Sequence, residues 1–403
     1  MFMVNVALAR TQTKEEYGTF VLSYSVFTFL AGLHNAAILD PYTVYGSGRY
    51  RARSSEYFKF MAGNNALVGL LLMGGLLCCC ALFNWIAPHL VARALVGLGL
   101  TVGVLLSGTF LRRVFYVQGQ PILAASTSLA FFLTVVFGLW MAMRTHALNG
   151  FSAFLVVATG WVVAGASLVG KLPFAKTQRR FLELQPDYWH QHWKYARWLL
   201  IAGFVFQLTT QGYYWLVAGF LSAKEVAELR ALYLIVGSAD QILIALSYLV
   251  LPLLASHYAA KNSELLLSLW RRYAIAILAI MGSFALLLGI FGRALMHVLY
   301  AGKFDNVAYL LATLALLPLL TGIGNTMNDA IRAAEKPRLV FYAFLCSGAT
   351  TFLVGIPLVI HFGLRGAVYG LLLSGTAYTG ALSWAFVVHV YAHDMPVVRP
   401  SFR

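Results

Sequence analysis

Apolar positions along this chain come in long blocks separated by short polar joints. Eleven blocks fall at 17–39, 60–86, 90–111, 121–143, 151–170, 196–220, 231–255, 273–297, 307–329, 338–361 and 366–391. Each holds roughly 20 or more mostly apolar residues, enough for one helix to cross a hydrocarbon core about 30 Å thick. The pattern therefore predicts an all-α integral membrane protein with about 11 transmembrane helices. The longest joint is also the most basic. It runs Lys171–Arg197, with Lys176, Arg179, Arg180 and Lys194 between its ends. It predicts an N-terminal lobe at 1–170, a basic cytoplasmic linker at 171–195 and a C-terminal lobe at 196–403.

Composition agrees. The chain is 60% hydrophobic and 11% charged, with mean hydropathy +0.76, more apolar surface than a soluble domain of this length can hide. The net charge of +15 sits in short joints rather than on a folded polar domain, which excludes a nucleic-acid binder and fits loops facing anionic lipid. Counted on alternate sides of the blocks, 20 of the 29 Lys and Arg fall on one side. That side is expected in the cytoplasm, with the C-terminus inside and residues 1–16 outside. The cysteines Cys78, Cys79, Cys80 and Cys346 lie in apolar blocks without metal-site spacing, so no metal or cofactor is expected.

Four landmarks recur in order. Glu16 matches Glu225 at an offset of 209, and Pro41, closing block 17–39, matches Pro252, closing block 231–255, at 211. Pro121 matches Pro337, and Asn149-Gly150 matches Arg365-Gly366, both at 216. The ordered set predicts two parallel lobes of like topology. The repeat also implies a 12-helix plan lacking most of its first helix, because only Met1–Ala9 remains where block 196–220 has its partner.

These residues carry a resemblance. Ala9-Arg10 with Glu15-Glu16-Tyr17-Gly18-Thr19-Phe20 resembles the first external loop of polysaccharide flippases in the multidrug/oligosaccharidyl-lipid/polysaccharide exporter superfamily. Similar to that family as well are Asp40-Pro41, Leu111-Arg112-Arg113, Gln118-Gly119-Gln120-Pro121, the run from Asn328 to Pro337, Gly355-Ile356-Pro357-Leu358, and Phe362 to Ala367. The likeness covers nearly the whole chain and rests on the ordered series, since each motif alone is weak. It implies twelve to fourteen helices in two lobes around a central cavity. It also implies a flippase that moves lipid-linked sugars, often on undecaprenyl pyrophosphate, between leaflets of a bacterial cytoplasmic membrane.

Such a cargo needs polar side chains in a hydrated groove and cations for phosphate. Asp240 stands out as the acidic residue well inside a block. It is either a coupling site for H+ or Na+, or a cavity anchor, or a carboxyl bonded to a neighbouring helix. Gln207 and Gln211 share one helical face, and Asn35 and Asn328 are further polar residues within blocks. Each is cavity lining or inter-helix bonding. Tyr213, Tyr214 and Trp215 are expected in an interfacial aromatic belt. Candidate phosphate contacts are Arg10, Arg112, Arg113 and Arg332, all at block ends. Superfamily relatives place arginines within the cavity, whereas these blocks show no mid-helix Arg or Lys.

The expected function is transfer of a lipid-linked oligosaccharide from inner to outer leaflet by alternating access of two lobes. Expected partners are that lipid, membrane lipids and other polysaccharide assembly proteins. The alternatives are an amphiphile or drug exporter of the same superfamily and a membrane glycosyltransferase or polymerase. The last would need carboxylates gathered on a sizeable external loop, and the sequence offers neither that nor a catalytic motif.

Overall fold

The computed structural model describes residues 1–47, 50, 53–86, 91–172, 186–260, 262–334 and 336–391, and these hold helices and turns with no strand. Most of the linker, 173–185, and the C-terminal residues 392–403 lie outside the described residues.

The repeated landmarks turn out to be helix starts. Helix α1 covers Phe2–Thr11 and α2 covers Lys14–His34. Thr13 caps α2 by accepting from the Glu16 amide (3.1 Å), with Glu15 and Glu16 in the first turn where the helix dipole favours them. Ser222 caps α9 (Ala223–Val236) in the same way, accepting from the Lys224 amide (3.2 Å) ahead of Glu225. Pro121 and Pro337 each open a helix, α6 (Pro121–Arg144) and α14 (Pro337–Thr350), where the missing N–H costs nothing.

The matched prolines 41 and 252 do not close helices. After α2 the backbone makes a π-helical turn, Asn35–Leu39, and continues as α3 (Asp40–Ser47). The wider turn accommodates the amide that Pro41 lacks. Pro252 lies inside α10 (Ser238–Ala259). The block expected at 231–255 is instead broken at Gly237, between α9 and α10.

The remaining elements are α4 (Ser54–Ile86), α5 (Val91–Val117), α7 (Gly150–Leu168) and α8 (Pro186–Phe220), then α11 (Ser263–Tyr300), α12 (Tyr309–Leu314), α13 (Leu316–Ala333) and α15 (Ile356–Phe386). Nine helical stretches among the described residues are long and apolar enough to cross a bilayer. The difference from eleven has two sources. Arg338–Tyr391 is a single run of 54 residues, about 80 Å if straight, more than twice a bilayer core. It is divided at Gly363 (φ 59°, ψ −135°), and a Cβ at nearby Gly366 would strike the Leu358 carbonyl, so both glycines are required by the bend. The other is α8, which falls outside the nine and carries the polar run Gln207-Leu208-Thr209-Thr210-Gln211 at its middle.

The chain divides into two compact units, Met1–Gln211 and Gly212–Arg403, so the boundary falls within α8 rather than in the basic joint. Each unit has the same order of neighbours. In the first, α5 is central and packs on α4, α7 and α2, with α6 beside α7. In the second, α13 is central and packs on α11, α15 and α10, with α14 beside α15. The first unit is filled by Tyr17, Phe20 and Phe154 and, toward its cytoplasmic end by the charge count, by Tyr42, Tyr57 and Tyr188. The second is filled by Ile331, Leu382 and Phe386, with Trp270 stacked on Phe386 at 4.5 Å.

Candidate functional site

In the first unit the π-turn brings three polar side chains together. Asn35 Nδ2 donates to Asp40 Oδ2 (3.2 Å), and Arg113 Nη2, from α5, donates to Asn35 Oδ1 (3.0 Å). Arg113 also pairs with Asp40 Oδ1 at 3.9 Å, and the two side chains are 31% and 35% exposed. An α-helical register would carry Asn35 and Asp40 to different faces; the extra residue of the π-turn lets them converge on Arg113. Arg113 lies within α5 rather than beyond it, four residues before the end at Val117. One residue earlier His34 Nε2 meets Asn65 Oδ1 (2.7 Å), and Asn65 Nδ2 donates to Ser107 Oγ (3.0 Å), a chain across α2, α4 and α5.

The other candidates of this unit lie elsewhere. Arg112 is exposed. Arg10 is exposed in the last turn of α1, beside the start of α2. The 21 residues of α2 separate it from Arg113 by about 30 Å. Gln207 lies against Gly32 of α2, where a Cβ would collide with its amide, and its Oε1 is buried with no hydrogen-bond partner among the described residues. Gln211, half-buried, is the last residue of the unit. The start of α8 is clasped to this unit. Tyr50 donates to Gln191 Oε1 (2.8 Å), His192 Nε2 meets the Ala37 carbonyl (2.6 Å), and Tyr188 stands edge-on to Tyr50 at 4.7 Å. Burial holds the His192 imidazole, ahead of the spanning part of α8, below its ordinary range.

The second unit holds two clusters. Asp240 is not mid-helix: the break at Gly237 puts it in the first turn of α10, where the helix dipole favours a carboxylate. The Tyr233 hydroxyl of α9 bonds to it. On the same short helix Arg230 Nη1 donates to Tyr214 (3.3 Å), and buried Glu228 accepts from Asn306 Nδ2 (2.8 Å). Blocks 196–220 and 231–255 leave Glu228 and Arg230 in a joint; the capping by Ser222 draws both into a helix. The second cluster centres on Asp329, 1% exposed, which accepts from Ser247 Oγ (2.7 Å) and Tyr273 (3.0 Å). Block 307–329 put Asp329 at a helix end, but α13 continues to Ala333 and carries it inside. Asn328 has a buried Oδ1 with no hydrogen-bond partner among the described residues, and Arg332 is exposed one turn on.

Tyr213 and Tyr214 do not form a belt. They are 1% and 5% exposed. The Tyr213 hydroxyl meets Ser374 Oγ (3.0 Å), which meets Thr351 Oγ1 (2.9 Å). Its ring fits against Gly355 and Gly370, where a Cβ on either would lie 2.6 or 2.7 Å from that hydroxyl. Hydrophobic runs cannot distinguish a lipid-facing tyrosine from one opposite a glycine notch.

No family model matches the sequence, and no curated protein does. Solved structures do. An inward-facing multidrug-resistance MATE family transporter of the MOP superfamily superposes with a TM-score of 0.80 at 12% identity, over 96% of this chain and 93% of that one. The lipid II flippase MurJ, in an inward closed conformation, gives 0.75 at 13% identity, over 96% and 84%. The chain has the fold of the MOP-superfamily transporters. The Vibrio cholerae MATE transporter VcmN also shares it, with a TM-score of 0.61 at 14% identity, over 98% of this chain and 93% of that one.

Proposed function

We propose that this chain is a flippase that moves a lipid-linked oligosaccharide, on an undecaprenyl-pyrophosphate type of carrier, from the inner to the outer leaflet of a bacterial cytoplasmic membrane by alternating access. The observation that carries the reading is Arg113, a half-exposed guanidinium inside a spanning helix, aimed by Asn35 and Asp40. A guanidinium held in one orientation can offer two parallel N–H groups to a phosphate, which a flexible lysine cannot. Its partial exposure leaves it accessible to a head group at the end that the charge count assigns to the cytoplasm. The likeness to a lipid flippase, MurJ, supports the same reading. Within it, Asp240 is the proposed coupling site for H+ or Na+, a carboxyl in the first turn of α10 bonded by the Tyr233 hydroxyl of α9.

A second reading, an amphiphile exporter, is supported by the likeness to MATE transporters. A strain lacking the protein separates the two. The flippase reading predicts lipid-linked sugar held on the cytoplasmic leaflet and loss of surface glycan, restored by the wild-type chain. Drug sensitivity with normal surface glycan would favour the exporter. Within a complemented strain, full glycan assembly by both Asp240→Asn and Asp240→Ala would remove Asp240 from the coupling role.

A further inference from the structure

A cleft of about 470 Å³ opens at the end of the second unit that the charge count places outside, lined by Arg293, His297, Asp305 and Tyr309. Arg293 and His297 are four apart on the last turns of α11, so both reach one face. The chain then turns sharply through two left-handed residues, Ala301 (φ 52°) and Gly302 (φ 80°). This turn returns Asp305 onto His297, Oδ2 to Nδ1 at 2.7 Å. A Cβ at Gly302 would sit 3.3–3.5 Å from both side chains, so the pair and the turn are fitted to each other. The wall opposite is Tyr309, whose hydroxyl accepts from Arg365 Nε (2.7 Å) and whose ring lies under the Arg365 guanidinium at 5.2 Å.

The balance of charge points to an anion. One guanidinium, Arg293, and one imidazole line the cleft with a single carboxylate that the imidazole already engages, and a second guanidinium, Arg365, is held on the Tyr309 wall. The carboxylate on Nδ1 fixes the ring's orientation and leaves Nε2 facing away from Asp305. Arg293 makes no hydrogen bond or ion pair among the described residues. The same place in the first unit has different chemistry. At the offset of 216, Arg93 stands for Tyr309 and Asn149 for Arg365, and Glu16 lines that pocket with Arg93 and His146. The second unit has the greater excess of cations.

We propose that this cleft binds a phosphate oxyanion, that of a phospholipid head group at the membrane surface. Arg293 would grip the oxygens, with His297 beside it, and Arg365 would supply charge over Tyr309. The assignment does not depend on what the protein transports. The test uses the full chain purified in detergent. Native mass spectrometry reads retention of phosphatidylglycerol against diacylglycerol of the same acyl chains, for wild type and for Arg293→Ala/Arg365→Ala. The expected result is about tenfold weaker phosphatidylglycerol binding in the variant, as for loss of charged hydrogen bonds, with diacylglycerol unchanged. Arg293→Gln alone, which keeps the stem and removes the charge, serves if the double variant misfolds; it should show the same loss in part. Displacement of the lipid by millimolar inorganic phosphate in wild type alone would identify the oxyanion itself as sufficient. Failure of phosphate to displace it would assign the lipid as the ligand. Equal phosphatidylglycerol binding by wild type and both variants would overturn the site.

Discussion

The central helices of the two units, α5 and α13, carry opposite charges at matched positions. Arg113 and Asp329 are 216 residues apart, the offset that relates the helix-opening prolines 121 and 337. Each is bonded from the first long helix of its own unit, Arg113 by Asn35 and Asp329 by Ser247. The environments then diverge. Asp329 is sealed, 1% exposed, with both oxygens occupied by hydroxyl donors, whereas Arg113 is 31% exposed and keeps donors to spare. A satisfied buried carboxylate holds helices together; a half-exposed guanidinium held by neighbours can also hold a ligand. The same architectural position thus serves packing in one unit and, on our reading, cargo in the other.

Breaking that comparison is most direct at Asp329. Asp329→Ala strips Tyr273 and Ser247 of their acceptor and should cost about 1.5–3 kcal/mol, the range for hydrogen bonds to a charged group. Thermal denaturation of the purified protein should register it, with Asp329→Asn recovering part. If Asp329→Ala keeps its melting midpoint but abolishes transport, the two positions are functionally alike and the contrast fails. Arg113→Ala should behave oppositely. Its exposed ion pair contributes about 1 kcal/mol or less, so the fold should persist while surface glycan assembly falls steeply.

Tyr213→Phe removes only the hydroxyl shared with Ser374 and should cost about 1 kcal/mol in the second unit while leaving the first unchanged. Hydrogen exchange resolved by unit would check this. The smallest effect concerns His192. Its folded value lies below the unfolded 6.5, because burial disfavours the imidazolium. The clasp on Ala37 is therefore complete above that value and weakens as pH falls from it through the folded value. Exchange at 186–195 should rise on acidification in wild type and be insensitive to pH in His192→Gln.

Much of this was legible in the sequence. Block lengths gave the spanning helices, and Glu16, Glu225 and the prolines at 121 and 337 gave the repeat, because all stand in the first turns of helices, where signals act locally. Legible too were Asn35 and Arg113 as polar residues near helix ends, though not that they touch. Their meeting depends on a π-turn, which leaves no mark in hydropathy. Proline misled in the same way: at Pro41 and Pro252 the helix continues, since neighbouring backbone and the π-turn absorb the missing N–H. Not legible were the burial of Asp329, which stands at the edge of its block, and the helical place of Arg230, whose helix begins seven residues earlier, at Ala223. The tyrosines at 213 and 214 needed tertiary information, namely glycines 355 and 370 more than a hundred residues away.

The central claim is that Arg113, aimed by Asn35 and Asp40, meets the phosphate of a lipid-linked sugar. Its most direct test is translocation of an undecaprenyl-pyrophosphate-linked oligosaccharide in proteoliposomes by wild type, Arg113→Lys and Arg113→Ala at equal protein incorporation. The account predicts wild-type transfer, a rate lowered about tenfold or more in Arg113→Lys, which keeps charge but loses two-point contact, and none in Arg113→Ala. Transfer at the wild-type rate by Arg113→Ala would contradict it.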